Sequence, residues 1–113
     1  MYEYKIKKVN KIIDGDTIDV DIDLGFNITI SQRVRLAGIN APETKTKDLK
    51  EKENGIKSKE WLENKLNTKE QLTIKTEKDD KYGRILGWIY IEENQISINN
   101  QMIEEGYAIS YLP

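Results

Sequence analysis

Thr17-Ile18-Asp19-Val20-Asp21-Ile22-Asp23-Leu24, followed by Gly25 and the run Phe26 to Leu36, is the stretch that decides the fold class. Ile18, Val20, Ile22 and Leu24 share one parity, while Asp19, Asp21 and Asp23 share the other, which is the period of a half-buried strand. Gly25 predicts a turn. In the next run Phe26, Ile28, Ile30, Val34 and Leu36 keep one parity, so Arg33 and Arg35 project from the opposite face, away from the core. Upstream, Tyr4 to Ile13 reads as a first strand that ends at the turn Asp14-Gly15-Asp16, and the first third of the chain becomes a three-stranded meander.

Beyond this the pattern changes. After a polar loop, Ile56 to Leu66 carries Trp61, Leu62 and Leu66 close to helical spacing among lysines and glutamates, predicting an amphipathic helix. Two further strands follow, Leu72 to Glu77 and Ile85 to Ile91, with Gly83 available for a positive φ between them. Ser97 can cap a short helix in which Ile98 and Met102 share a face, and Gly106 stands where that helix should stop. Five strands with a helix between the third and fourth describe an α+β protein built on a five-stranded OB-fold barrel with packed helices.

With 113 residues, 37% of them hydrophobic, and no Pro/Gly/Ser-rich linker, residues 1–113 read as a single domain. A charged fraction of 34%, a mean hydropathy of -0.71 and no apolar run near the roughly 18 residues of a membrane span point to no membrane partner. The chain has no cysteine and no histidine, so any metal must be a hard cation held by oxygen. Its net charge of -2 disfavours a broad basic surface for nucleic acid, although Lys45, Lys47, Lys50 and Lys52 cluster locally. The opening Met1-Tyr2-Glu3-Tyr4-Lys5 lacks the apolar core of a secretory signal, so the expectation is a cytoplasmic protein if the chain is complete and a secreted one if a leader has been removed.

Three segments carry candidate chemistry. Asp14 and Asp16 flank Gly15 in a tight turn, where they either satisfy turn amides or reach one cation together. Asn40-Ala41-Pro42-Glu43 follows a strand and gathers a side-chain oxygen, a backbone carbonyl and a carboxylate around a turn that Pro42 stiffens. Arg35 and Arg84 each lie beside such a segment. A planar guanidinium grips phosphate oxygens bidentately and stabilises the charge of a pentacoordinate transition state.

Taken together, D-G-D-T at Asp14 to Thr17, R-L-A-G-I-N-A-P-E at Arg35 to Glu43, D-K-Y-G-R at Asp80 to Arg84 and E-E-G-Y-A at Glu104 to Ala108 resemble the thermonuclease, or staphylococcal-nuclease-like, family over nearly the whole chain. The resemblance implies calcium-dependent hydrolysis of DNA and RNA, single-stranded or frayed, leaving 3′-phosphates. Carried over by motif, Asp16 and Asn40 would ligate Ca²⁺ by side chain, Ala41 by its carbonyl, and Asp14 through water. Arg35 and Arg84 would hold the scissile phosphate, and Glu43 would orient or deprotonate the attacking water. Lys81 and Tyr82 would line the nucleotide pocket, with Tyr111 beside them.

Two departures from the family pattern shape the expectations. Asn40 stands where the best-known members carry aspartate, which predicts calcium binding weaker by about tenfold or more, each factor of ten being about 1.4 kcal/mol. The resemblance also implies a further C-terminal helix, which the sequence ending at Pro113 leaves missing, and the surface so exposed would favour a protein partner or self-association. The alternative reading is a catalytically weakened or inactive OB module that binds single strands or another protein.

Overall fold

The first three strands of the computed structural model, which describes residues 2–79, 83–92 and 94–111, are β1 (Tyr2–Asp14), β2 (Thr17–Gly25) and β3 (Ile28–Leu36). They form the expected meander. A two-residue strand β4 (Ile39–Asn40), helix α1 (Leu49–Leu66), strands β5 (Leu72–Asp79) and β6 (Ile85–Ile91), helix α2 (Ile98–Glu104) and a short β7 (Ile109–Ser110) complete the order. No helix among the described residues is long and apolar enough to cross a membrane.

The length of β1 is what closes the barrel. Its first residues pair with β5, from Tyr2 opposite Thr76 to Ile6 opposite Leu72, while Lys5 to Asp14 pair with β2. Register shifts between Ile6 and Lys8, Val9 and Lys11, and Ile12 and Asp14 coil the strand so that it serves both neighbours. The order is β1-β2-β3-β6-β5, and β3 meets β6 in parallel through Val34 opposite Ile85, Arg35 opposite Leu86 and Leu36 opposite Gly87. This is the closed five-stranded OB barrel, with α1 between its third and fourth strands.

The alternation read in β2 is present: Ile18, Val20 and Ile22 are buried, and with Val34, Leu36, Ile74 and Ile89 they fill the barrel. Leu62 and Leu66 of α1 and Ile98 and Met102 of α2 join the same core. Each such side chain contributes roughly 1.5–3 kcal/mol on leaving water. The parity of the next run holds only in its second half. Phe26 is 97% exposed and sits in the turn with φ 55°, and Ile28 is 52% exposed, so only the part of β3 from Ile30 onward turns apolar residues toward the barrel.

Outside the barrel, charges on β1, β2 and β3 face one another. Lys5, Lys8 and Lys11 lie opposite Asp23, Asp21 and Asp19. Arg33 Nε donates to Asp19 at 2.8 Å, and this bond holds the Asp19 carboxyl below its ordinary value and raises Arg33. Asp21 is also lowered, because it accepts from the Ser31 hydroxyl at 2.6 Å and the Asn10 amide at 2.7 Å.

Helix α1 begins earlier than its apolar periodicity suggests. Asp48 caps it, accepting from the backbone N–H groups of Lys50 and Glu51, and the added turns are polar, with Leu49 81% exposed. Lys45, Lys47, Lys50 and Lys52 are all exposed at this end. Helix α2 is capped by Ser97 as expected and stops at Gly106, φ 83°, where the N–H of Tyr107 returns to the Met102 carbonyl at 2.8 Å.

Candidate active site

The site assembles where β2 begins, β3 ends and the β4 turn starts. Thr17 pairs with Arg35, and the N–H of Leu36 donates to the Asp16 carbonyl at 2.8 Å, so the D-G-D turn lies directly beside the R-L-A-G segment. Asp16 is buried. Its Oδ1 accepts from the Thr17 hydroxyl at 3.0 Å, and its Oδ2 accepts from the N–H of Ala41 at 2.9 Å and lies 3.6 Å from Arg35 Nη2. One carboxylate therefore joins the first motif to both ends of the second.

Arg35 is aimed away from the hydrophobic core, yet its side chain is only 14% exposed. Its Nη1 donates to the carbonyls of Leu36 at 2.9 Å and Asp16 at 3.4 Å, and its Nη2 donates to the carbonyl of Ile39 at 2.8 Å. Those carbonyls face a guanidinium because the chain turns at Gly38, φ 76°, and wraps back around the side chain. Three of the five N–H bonds of Arg35 are thus committed to main chain, and Nη2 also faces the Asp16 carboxylate.

Arg84 immediately precedes β6, whose Leu86 lies opposite Arg35, so the parallel β3–β6 pairing puts Arg84 two residues before the register partner of Arg35. Arg84 is partly buried. Of the D-K-Y-G-R segment, Asp80, Lys81 and Tyr82 lie outside the described residues, which leaves the expected nucleotide-pocket positions Lys81 and Tyr82 without a structural account. Tyr111 is exposed, and its N–H donates to the Gly38 carbonyl at 2.9 Å, which fixes it beside the turn that wraps Arg35.

Asp14 is half-buried and held by a residue that sequence reasoning did not single out. Its Oδ1 accepts from the Thr44 hydroxyl at 2.6 Å and the Thr44 N–H at 3.2 Å. Glu43, immediately before Thr44, is exposed, and Asn40 is exposed on β4, with its backbone opposite Ile109 of β7. Asn40 lines a groove of about 580 Å³ between α1 and residues 106–109, whose walls include Pro42, Asn54 and Tyr107.

Glycines decide how closely these pieces meet. A Cβ on Gly15 would lie 2.9 Å from the Ser58 Cβ and 3.0 Å from the Ala41 Cβ, so the D-G-D turn is seated against both α1 and the N-A-P-E turn. A Cβ on Gly55 would lie 2.9 Å from the Pro42 carbonyl oxygen and nearer still to the carbonyl of Glu43. Ser58 completes the support by donating to the Tyr107 carbonyl at 2.6 Å. At the far side, buried Asn99 donates to the carbonyls of Ala37 at 2.8 Å and Gly87 at 3.1 Å and accepts from the N–H of Ile89 at 3.1 Å, locking the β3–β6 seam. A small residue within the expected helix Ile56 to Leu66 was the signal for Ser58; Gly55 lay just before those bounds, and Asn99, directly after the Ile98 position, had no local signal.

The donor set suits a hard cation in kind, since Asp14, Asp16, Asn40 and the Ala41 carbonyl all offer oxygen. Asp14 and Asp16 together accept four hydrogen bonds from Thr17, Ala41 and Thr44, about half of their roughly eight lone-pair sites. The set is short of charge: among the described residues no three acidic, His or Cys side chains gather as a metal site.

Comparison with known proteins now adds to this geometry. The model of the family described as staphylococcal nuclease homologue matches residues 33–112. The chain belongs to the staphylococcal nuclease family. Within it, the thermonuclease of Staphylococcus intermedius is 31% identical across 88% of this chain and 56% of its own length, and the micrococcal nuclease of Shigella flexneri is 33% identical across 92% and 57%. An uncharacterized protein of Methanocaldococcus jannaschii is 31% identical across 98% of this chain and 61% of its own length. The chain thus spans a little over half the length of these curated relatives. The matched residues include the R-L-A-G segment, which Asp16 joins here to the D-G-D turn that precedes the match.

Proposed function

We propose that this chain is a calcium-dependent nuclease that hydrolyses phosphodiester bonds of single-stranded or frayed DNA and RNA. The observation that carries the reading is the Asp16 carboxylate, bonded to the Ala41 N–H and 3.6 Å from Arg35, because it unites a metal-type ligand with a phosphate-type cation. The named relatives, a thermonuclease and a micrococcal nuclease, support the same reading.

Asp16, Asn40 and the Ala41 carbonyl would hold Ca²⁺, with Asp14 acting through water. Bound there, the ion would polarise the phosphate and neutralise developing charge. Arg35, pre-positioned by main-chain carbonyls, would offer its remaining N–H groups to the phosphate, and Arg84 would approach from just before the neighbouring strand β6. Glu43 orients a water and takes its proton as the water oxygen bonds to phosphorus. The P–O5′ bond breaks, the 5′ oxygen leaves and is protonated from solvent, and the product keeps a 3′-phosphate. Glu43 needs no unusual basicity when the ion and two guanidiniums already polarise the phosphate.

One observation favours a second reading, a binding module without turnover: neutral Asn40 leaves two carboxylates at the site. A calcium titration of cleavage by the native chain and Asn40→Asp separates the two. The nuclease reading predicts cleavage in both, with the Asn40→Asp midpoint at about tenfold lower calcium. Calcium and single-strand binding without cleavage in either protein would establish the binding module instead.

A further inference from the structure

We propose that Thr44 is a positioning residue for Glu43, gripped by Asp14 so that the two aspartates of the D-G-D turn clamp the main chain on either side of the base. This role rests on the nuclease reading above. Residues 41–47 lie outside helix and strand, and among the described residues no backbone–backbone hydrogen bond reaches residues 42–47. Carboxylates anchor the stretch instead. Asp16 Oδ2 accepts from the Ala41 N–H at 2.9 Å, while Asp14 Oδ1 accepts from the Thr44 N–H at 3.2 Å and the Thr44 hydroxyl at 2.6 Å. Ala41 and Thr44 bracket Pro42 and Glu43.

The grip on Thr44 is two-pointed, and its shorter arm is a hydroxyl-to-carboxylate bond in the strong, charge-assisted range. Pro42 fixes its own φ, and the carbonyls of Pro42 and Glu43 abut Gly55 of α1, which restrains the same main chain from a third side. The direction in which the exposed Glu43 side chain leaves the chain is therefore set by groups that do not touch it. Without the Thr44 hydroxyl, only the longer N–H bond holds that end, and the turn swings about its Ala41 anchor. Misplacement approaching 1 Å at a reacting group costs on the order of 100-fold in rate. Asp16, Asn40 and Ala41, the proposed calcium ligands, precede the part that swings, so affinity for the ion is retained.

Thr44→Val, which keeps the side-chain shape and removes the hydroxyl, tests this beside Thr44→Ser, which keeps the hydroxyl. At saturating calcium Thr44→Val lowers kcat by about 10- to 100-fold while KM and the calcium midpoint stay within about threefold, and Thr44→Ser restores kcat. Because Thr44 acts through Glu43, Thr44→Val added to Glu43→Gln lowers kcat no further. Independently of cleavage, ¹⁵N relaxation gives Glu43 and Thr44 order parameters of about 0.85 in the native chain and Thr44→Ser, and below about 0.6 in Thr44→Val. Unchanged order parameters in Thr44→Val overturn the proposal, as does a kcat loss that persists in full beside Glu43→Gln or that Thr44→Ser does not restore. A native chain that binds calcium and single strands without cleaving them refutes the nuclease reading and, with it, the role of Thr44 in catalysis; the order parameters then decide whether the clamp exists.

Discussion

Replacing Gly55 by alanine tests whether α1 is what holds the N-A-P-E turn in place. In an exposed helix interior this change stabilises by about 1 kcal/mol, because alanine is the better helix former. At Gly55 the new Cβ would lie 2.9 Å from the Pro42 carbonyl oxygen and nearer to the Glu43 carbonyl, whereas ordinary contact begins at 3.4 Å. These are backbone atoms, which cannot swing aside, so helix and turn must separate by half an ångström or more. Overpacking of this kind costs about 1–3 kcal/mol, and with its upper end set against the helix-propensity gain the net loss is about 2 kcal/mol, or roughly 10 °C in Tm. The same displacement moves Glu43, and misplacement approaching 1 Å costs on the order of 100-fold in rate. Thermal melts and single-turnover cleavage by Gly55→Ala, beside the exposed control Lys52→Ala, measure both effects. A Gly55→Ala protein more stable than the native chain, with Glu43-dependent activity intact, would refute the packing argument.

Asp16→Ala strands the Ala41 N–H and leaves Arg35 without its carboxylate; urea denaturation should show a loss of about 2–4 kcal/mol, and cleavage should fall by orders of magnitude. Asn99→Ala removes three hydrogen bonds from the buried β3–β6 seam and should cost about 2–4 kcal/mol by the same method, with amide exchange accelerating first at Ile89. Asp19 and Asp21 have lowered folded-state values, so their contribution is present above the unfolded carboxylate range near pH 4 and is lost as pH falls through the folded values. Arg33→Met combined with Ser31→Ala should therefore lower the urea midpoint at neutral pH, and the gap to the native chain should close as pH falls toward about pH 2.

Much of the barrel was legible because its signals are local. The alternation in β2, the glycine after it and the cap at Ser97 each depend on neighbouring residues, and each produced the expected element. The boundaries that shifted have physical reasons. The first two turns of α1 carry almost no apolar face, so only the Asp48 cap announces them, and β1 is lengthened by register shifts that blur its alternation. Phe26 followed the parity of a strand but sits in a turn of positive φ, which alternation alone does not reveal. At the site, the motifs named the side chains, but their grouping came from the β2–β3 register, the parallel β3–β6 pairing and Asp16's bond to Ala41. Thr44, Gly55 and Asn99 act across 30 or more residues or through close approach, and no short pattern encodes that.

The most direct test of the account is cleavage of single-stranded DNA by the folded chain at millimolar calcium, with and without chelator, beside Arg35→Lys and Glu43→Gln. Cleavage that stops with chelator and falls by orders of magnitude in both variants, with 3′-phosphate ends on the products, is the predicted result. Calcium-independent cleavage, or cleavage indifferent to Arg35 and Glu43, would contradict it.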